Sequence, residues 1–296
     1  MGISGLLPLL KSIQVNTHIK QYAGKVVGID AYVWLHKGAF SCAWDLALGN
    51  HTTKFQHSIF CIDSFRYVDY AMHRIKMLRH YGVEPYVVFD GDYLPSKLHT
   101  EDSRASKREE YLSAGMRFHA QNQNAKATEQ FQKCIDITPE MAYRFILALR
   151  KEAIAYVVAP YEADAQLAYL EKRGVIQAII TEDSDLLVFG CKTLLLKMGQ
   201  FGDCVEIKRE RFGNVTGQIT LHGFTDDDFR HMAILSGCDY LASINGVGLI
   251  TAHRLLRRFN RNVQRVPLPV FVADEGCAIL ANADRNSSSA GLYGFL

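Results

Sequence analysis

The sequence predicts an α/β fold with a mostly parallel central sheet and helices on both of its faces. Short apolar runs at residues 24–30, 86–89, 156–158 and 178–180 have the length and composition of strands buried on both faces, and helix-forming stretches separate them. Connections of this kind cross over in the right-handed sense. Because ligands of open parallel sheets bind beyond the carboxyl ends of the strands, the residues that follow each run are the first candidates for a site.

Acidic residues end or follow all four of these runs. Two runs end within a few residues of acid pairs spaced two apart, and a further acid follows an apolar helix predicted at residues 229–235. The seven acids are Asp30, Asp90, Glu162, Asp164, Asp183, Asp185 and Asp239. A single pair has a structural alternative, because the dipole at a helix N-terminus also favours acids after strands. The arrival of acids from separate strands at one edge favours a common site instead.

A cluster of carboxylates at one sheet edge is costly, because neighbouring negative charges suppress each other's ionisation. Hard divalent cations remove that cost, and Mg²⁺ takes oxygen ligands while keeping waters for a phosphate substrate. Two such ions roughly 3.5–4 Å apart can stabilise the attacking and the leaving oxygen of a phosphodiester. The acid pattern therefore predicts a two-metal nuclease.

Length and composition are those of a globular protein with one large domain and an appendage. The chain has 296 residues, of which 48% are hydrophobic and 22% charged, and its formal net charge is +2. Its seven cysteines form no Cys-x-x-Cys pair, which indicates neither a disulfide framework nor a zinc site and favours a reducing compartment. No charged leader, myristoylation pattern or bilayer-length apolar run is present, so no membrane partner is expected.

The segment 97–133 is polar, helix-forming and rich in both charges. Such a segment has little apolar surface with which to join a core, so we expect a helical arch at about residues 91–138 that stands over the acidic edge. Its cations could there meet a nucleic-acid backbone, and the alternative is a mobile, solvated helical pair. Thr138 as N-cap and Pro139 then begin the next core helix.

The segment 244–259 reads as a hairpin between two helices. Gly246 and Gly248 let backbone amides approach a phosphate closely, and the N-terminus of the following helix favours the anion. From residue 241 to residue 273 there is no acid but there are five arginines, which are Arg254, Arg257, Arg258, Arg261 and Arg265. This pattern favours binding to the DNA backbone without sequence specificity, and the alternative is a solvated helix face.

Taken in order, these motifs resemble those of the structure-specific 5′ nuclease superfamily, the flap endonuclease-like proteins with a PIN-like fold. The matching stretches lie at residues 1–7, 27–30, 88–91, 159–164, 181–185 and 237–240. Ala-Pro-Tyr-Glu-Ala-Asp at 159–164 and Leu-Ser-Gly-Cys-Asp at 235–239 resemble the exonuclease 1 branch more than the flap endonuclease branch. The likeness covers roughly residues 1–56 and 67–266.

For the active site, the resemblance implies that the seven acids hold two Mg²⁺ ions, for which Mn²⁺ can substitute. Asp164, Asp183 and Asp185 match the positions nearest the metals, with Glu162 and others acting partly through water, and Asp183 is also expected to be catalytic. Lys97 and Arg104 match the cations that steer the scissile phosphate and stabilise charge in the transition state.

For DNA binding, the resemblance implies that Tyr32 and His36 lie beside the terminal nucleotides, although His36 could equally be a packed helix residue. It also implies that Gly246 and Gly248 belong to a helix–two-turn–helix motif. In the family this motif holds a K⁺ ion, and the residues that match its ligands are Ser236, Ser243 and Val247.

The function implied is that of a Mg²⁺-dependent 5′→3′ exonuclease on double-stranded DNA with 5′ flap endonuclease activity. Its expected substrates are recessed 5′ ends, nicks, gaps and flaps, and its expected setting is mismatch repair and recombination in the nucleus. Three alternatives stay open: a flap endonuclease, a junction-binding protein without turnover, and a Mg²⁺-dependent phosphatase. The arch cations and the glycine hairpin argue against the phosphatase, because a small phosphomonoester needs neither.

The resemblance divides the chain into a nuclease core at 1–240, a helix–two-turn–helix region at 241–266 and a tail at 267–296. Two stretches depart from the family: an apolar insertion at about residues 57–67, and the tail, which we expect to be disordered. The region through which the family binds mismatch-repair partners is expected to be absent. The departures are the reason for keeping the junction-binding alternative, since they could leave the site misassembled.

Overall fold

The computed structural model describes residues 2–49, 66–241 and 243–266. The expectations for the insertion, apart from residues 66 and 67, and for the tail at 267–296 lie outside these residues. Within them, the helix that follows the insertion begins at Arg66 and buries Tyr67.

Seven strands in the described residues form one sheet in the order β1-β7-β6-β5-β2-β3-β4. They are β1 Val15–His18, β2 Val26–Asp30, β3 Glu84–Phe89, β4 Ala155–Val158, β5 Ala178–Ile180, β6 Thr193–Leu196 and β7 Asp203–Lys208. The four strands predicted from apolar runs are adjacent and parallel, and only the pairings of β7 with β1 and β6 are antiparallel. The prediction of a mostly parallel sheet is confirmed.

Helices cover both faces of this sheet. They are α1 Leu6–Leu9, α2 Ala31–Ala39, α3 Ala43–Ala47, α4 Arg66–His80, α5 Leu98–Ala120, α6 Asn124–Lys133, α7 Pro139–Lys151, α8 Ala163–Lys172, α9 Asp185–Val188, α10 Asp226–Ser236 and α11 Leu249–Arg258. Alternate strand residues face opposite sides, so Ile180 joins one hydrophobic cluster and Ile179 the other. The first cluster includes residues of α2, α4, α6 and α7, and the second includes residues of α8, α9, α10 and α11.

The predicted arch is a helical pair, α5 and α6, but the expectation that it has little apolar surface is wrong for α6. Ala127 and Phe131 are fully buried in the first hydrophobic cluster. Trp44 of α3 donates a hydrogen bond from its ring nitrogen to Thr128 at 2.7 Å, and its ring meets that of Phe131 edge-on. The end of the arch far from its foot is therefore docked on the core.

The boundaries around α7 and α10 follow from local capping. Thr138 accepts a hydrogen bond from the backbone of Met141, with Pro139 as the first residue of α7, as predicted. Thr225 and Asp228 form a capping box that starts α10 three residues before the predicted position.

None of the helices described has the length and apolarity to cross a membrane. The five cysteines in the described ranges are free thiols.

Candidate active site

Asp30 joins the sheet to the site. It is the last residue of β2, and its carboxylate caps α2 by accepting hydrogen bonds from the backbone of Tyr32 at 3.0 Å and Val33 at 3.3 Å. Both bonds fall on one carboxylate oxygen, and the hydroxyl of Thr181 lies 3.4 Å from the other. The helix cap therefore fixes the Asp30 side chain at the carboxyl edge of the sheet.

The loops after β3 and β4 are locked together. Asp90 accepts a hydrogen bond from the backbone of Ala163 at 2.7 Å, and the backbone of Gly91 donates to the carbonyl of Tyr161 at 2.5 Å. Gly91 has no room for a side chain, because a Cβ there would collide with the carbonyl of Ala159. This packing places Asp90 beside the start of α8, which carries Asp164 in its first turn.

The acids after β5 are held by a chain of short-range hydrogen bonds and by the N-terminal segment. Asp183 accepts from the backbone of Asp185 at 2.9 Å, and Asp185 accepts from the backbone of Ile3 at 2.8 Å. Gly2 packs so tightly here that a Cβ would collide with the side chains of Asp183 and Ser184. Residues 2 and 3 therefore form one wall of the acid cluster.

Burial and mutual repulsion raise the pKa values of these carboxyls. Burial, reinforced by Asp90, raises the pKa of Asp30 to about 7. Burial and the charge of Asp183 raise the pKa of Asp185 to about 6. Burial, with Asp30 and Asp183, raises the pKa of Asp164 well above its usual value, and burial raises the pKa values of Asp90 and Asp183 as well. The cluster is thus short of positive charge.

Lys97 and Arg104, at the foot of the arch, lie on the two remaining acids. The ammonium of Lys97 is 2.5 Å from Glu162 and 3.7 Å from Asp239, and the guanidinium of Arg104 is 2.6 Å from Asp239. Burial alone would lower the pKa of Lys97, but its hydrogen bond to Glu162 and the charges of Glu162 and Asp239 raise it. Glu162 and Asp239 are therefore neutralised within the protein, whereas the other five acids are not.

The donor set fits hard divalent cations by its chemistry. Five carboxylates lie close enough for their charges to raise one another's pKa values, and no described residue donates a hydrogen bond to Asp164. In the described ranges, no three His, Cys, Asp or Glu side chains are arranged to hold one metal ion by themselves. Carboxylate oxygens are the ligands that Mg²⁺ takes, and this ion commonly binds through one or two carboxylates while retaining several waters.

Tyr32 and His36 lie on α2, which begins at this edge. Burial and the charge of Asp90 raise the pKa of Tyr32 to about 12, so its hydroxyl lies within the electrostatic reach of the acids. His36, one helical turn further on, packs edge-on against Phe40 with ring centroids 5.0 Å apart, and burial lowers its pKa. The structure thus places Tyr32 with the acid cluster and gives His36 an aromatic packing contact.

The residues predicted to hold K⁺ lie in the connection between α10 and α11. Ser236 ends α10, and the next residue, Gly237, packs so closely on Ser243 that an added Cβ would lie 2.6 Å from its Cβ. The backbone of Val247 donates to the carbonyl of Ile244 at 2.9 Å, closing a turn in which Gly246 has a φ of +78°. Gly248 is the N-cap residue of α11. The connection thus packs Gly237 against Ser243, while the hydroxyl of Ser236 donates to the carbonyl of Ala233 at 2.8 Å.

Comparison with known proteins shows which family the chain is related to. Residues 1–111 match the XPG N-terminal domain, and residues 153–239 match the XPG I-region. An exodeoxyribonuclease 1 of Schizosaccharomyces pombe is 46% identical over 259 residues, and exonuclease 1 of Xenopus laevis is 48% identical over 262 residues. The chain belongs to the XPG superfamily, on its exonuclease 1 branch. Each match covers 88% of this chain but only 43% and 34% of the two relatives, so the chain spans less than half their length.

The fold comparison agrees with this assignment. The catalytic core of Rad2, solved in complex with a DNA substrate, has a TM-score of 0.62 to this XPG-family chain at 20% identity. The match covers 88% of this chain and 69% of the Rad2 chain. At that level of identity the likeness concerns the fold. All seven predicted acids, together with Lys97 and Arg104, fall inside the two regions that match the XPG domains.

Sequence reasoning missed several residues that build the site. Tyr240 donates a hydrogen bond to Glu162, and the hydroxyl of Thr100 donates to the backbone carbonyl of Asp239 at 2.9 Å. The glycine at position 2 and the tyrosine at position 240 stood inside motifs used for recognition, and nothing in those motifs says which acids they touch. No signal in the sequence joins Thr100 to a residue 139 positions later.

Proposed function

We propose that this XPG-family chain is a Mg²⁺-dependent 5′→3′ exonuclease on double-stranded DNA that also cleaves 5′ flaps. One observation carries the proposal. Five carboxylates with raised pKa values share one sheet edge with two cationic side chains at the foot of the arch. The carboxylates suit metal cations, and the two cationic side chains suit an anionic substrate that binds together with those metals. A phosphodiester backbone meets that description.

Each group has a role in this proposal. Asp30, Asp90, Asp164, Asp183 and Asp185 would hold Mg²⁺ or Mn²⁺ with Glu162 and Asp239, some of them through water. When bound, such ions supply an activated water and neutralise charge on both oxygens of an in-line displacement. Lys97 and Arg104 would leave their carboxylate partners in part to pair with the scissile phosphate, which stabilises its developing charge.

DNA binding extends beyond the acids. Tyr32 and His36 would contact terminal nucleotides unpaired from the duplex, a step that costs a few kcal/mol by analogy with base extrusion. We assign the connection at Gly246 and Gly248 to the uncut duplex, with K⁺ held at Ser236, Ser243 and Val247. Specificity would come from the shape of DNA ends and not from base sequence. A nuclear location and mismatch-repair partners are proposed from the family alone.

The test is cleavage of a duplex with a recessed 5′ end, labelled at its 3′ end, by the purified chain in Mg²⁺. A ladder of shortened products is expected, and Asp183→Ala should abolish it without loss of folding. The matched control is Asp203→Ala, since Asp203 is an exposed carboxylate at the start of β7. A second substrate with a 5′ flap separates the two activities: faster cutting of the flap would favour a flap endonuclease.

The competing function is a junction-binding protein without turnover. Anisotropy of a labelled junction, measured beside the cleavage assay, separates the two. A folded chain that binds the junction and leaves both substrates uncut in Mg²⁺ and in Mn²⁺ would contradict the nuclease proposal.

A further inference from the structure

We propose that Tyr240 is a positioning residue, which holds the ammonium of Lys97 and the carboxylate of Glu162 in the arrangement that receives the scissile phosphate. The role of that arrangement rests on the proposed nuclease function. The arrangement itself can be tested without any cleavage.

Three contacts close a triangle around Tyr240. Its hydroxyl donates a hydrogen bond to one carboxylate oxygen of Glu162, and the other oxygen lies 2.5 Å from the ammonium of Lys97. That ammonium in turn lies 4.4 Å from the centroid of the Tyr240 ring. Lys97 is therefore bound on two sides, by a carboxylate and by the face of an aromatic ring.

The three residues come from separate parts of the chain. Glu162 is the N-cap residue of α8, Lys97 ends the short 3₁₀ turn Pro95–Lys97 at the foot of the arch, and Tyr240 follows α10. Tyr240 belongs to neither hydrophobic cluster, so its ring does not serve to fill the core. Its contacts join the arch to the sheet edge at the point where Lys97 enters the site.

A lysine needs such a support here. Its ammonium is a point charge on a flexible stem, and Asp239 stands within 3.7 Å as a competing partner. A cation over an aromatic face is attracted most strongly where water is excluded, and the side chain of Lys97 is only 12% exposed. Without the ring, only the carboxylates of Glu162 and Asp239 would position the ammonium.

The first experiment observes Lys97 directly in the metal-free chain. In a sample with ¹³C-labelled lysine, the ring current of Tyr240 should shift the Lys97 ε-methylene protons upfield, and the resonance is identified by its loss in Lys97→Arg. Tyr240→Phe, which keeps the ring, should retain most of the shift, and Tyr240→Leu should remove it. A Lys97 resonance unchanged in Tyr240→Leu overturns the proposal.

The second experiment measures single-turnover cleavage and duplex affinity. Tyr240→Leu should lower the rate by about 10²-fold, the scale expected when a catalytic group is misplaced by about 1 Å, and leave duplex affinity unchanged. In a Lys97→Met background the same change should cost almost nothing more, whereas multiplied losses overturn the proposal. The control is Tyr169→Leu, at an exposed tyrosine of α8.

The two experiments separate the two proposals. Absence of cleavage by the unaltered chain would overturn the nuclease function, and the lysine spectrum would then decide the placement of Lys97 by Tyr240 on its own. Cleavage by the unaltered chain, together with an unimpaired Tyr240→Leu variant of normal thermal stability, would overturn the positioning role and leave the nuclease function standing.

Discussion

Asp30 shows at the scale of one residue how function and stability oppose each other at this site. As N-cap of α2 it satisfies two backbone donors, which stabilises the helix. As a buried neighbour of Asp90 it carries a charge that the fold disfavours, which its raised pKa records. The Asp30 carboxylate stabilises α2 but is repelled by the other acids of the cluster. A bound cation would remove the repulsion and leave the helix cap in place.

Stability of the metal-free chain should therefore depend on the protonation of Asp30. With a pKa of about 7 in the folded chain and about 3.9 when unfolded, Asp30 binds more protons in the folded state between these values. Its contribution to the free energy of unfolding therefore increases as pH falls from 8 toward 4. Between pH 8 and pH 6 the gain is about 1 kcal/mol for this group alone.

The measurement compares urea unfolding of the chain and of Asp30→Asn in EDTA at both pH values. The comparison is needed because burial lowers the pKa values of His36, His231 and His253, whose protonation works in the opposite direction. At pH 8 the variant lacks the disfavoured charge and should be more stable than the unaltered chain. This difference in the free energy of unfolding should be about 1 kcal/mol smaller at pH 6. Added Mg²⁺ at pH 8 should stabilise the unaltered chain more than the variant. An advantage that grows at pH 6 would show that Asp30 titrates differently.

At the scale of elements, the arch is attached to the core at both of its ends. Its foot is tied to the loop after α10 through Thr100 and Arg104, which both bond to Asp239. Its far end is docked through Phe131 of α6, which packs between Trp44 and α5. A helical pair fixed at two points holds Lys97 and Arg104 beside the acids.

The packing of α5 on α6 should make Gly115→Ala destabilising. In an open helix this change gains about 1 kcal/mol. Here an added Cβ would lie 2.5 Å from the Phe131 ring, and overpacking of this kind costs about 1–3 kcal/mol. We expect a net loss of up to about 2 kcal/mol in urea unfolding.

The sign should reverse when Phe131 is shortened. In a Phe131→Leu background, Gly115→Ala should become stabilising, because the space needed by the Cβ is then free. The difference in stability between Ser113→Ala and Ser113→Gly, at an exposed position of the same helix, supplies the gain from helix propensity alone. Stabilisation by Gly115→Ala in the unaltered background would show that the Phe131 ring gives way and that the docking is loose.

For the molecule as a whole, four of the seven strands described and the acidic edge were predictable because their signals are local. A buried parallel strand is a continuous apolar run, and the acids stand directly after such runs. The docking of α6 was hidden because only Ala127 and Phe131 mark an apolar face in a polar segment. β1 and β7 were hidden because polar residues interrupt them. The contacts of Tyr240 and Gly2 depend on residues far away in sequence, and no local pattern reports them.

Packing of the N-terminal segment links the acid cluster to α11. Gly2 packs on Asp183, and a Cβ on Gly5 would touch Leu249, the first residue of α11. Three residues span at most about 11 Å, so the start of α11 lies near the acid cluster. Under the proposed function, the basic residues of α11 would therefore lie within reach of the duplex that enters the site.

The arginines of this region should divide into two groups. Arg257 donates to the backbone carbonyls of Thr220 and His222, so its charge serves the fold. Arg254 and Arg258 are exposed and make no hydrogen bond to a described residue; Arg258 lies over the ring of Phe259, with 5.7 Å to the centroid, and both side chains are accessible to phosphates. In duplex binding by the Asp183→Ala chain at several KCl concentrations, replacing both by Gln should reduce the slope of log K against log salt by up to about 1.8. Arg257→Gln should instead lower thermal stability and leave the slope nearly unchanged, and equal slopes for all three chains would place the duplex elsewhere.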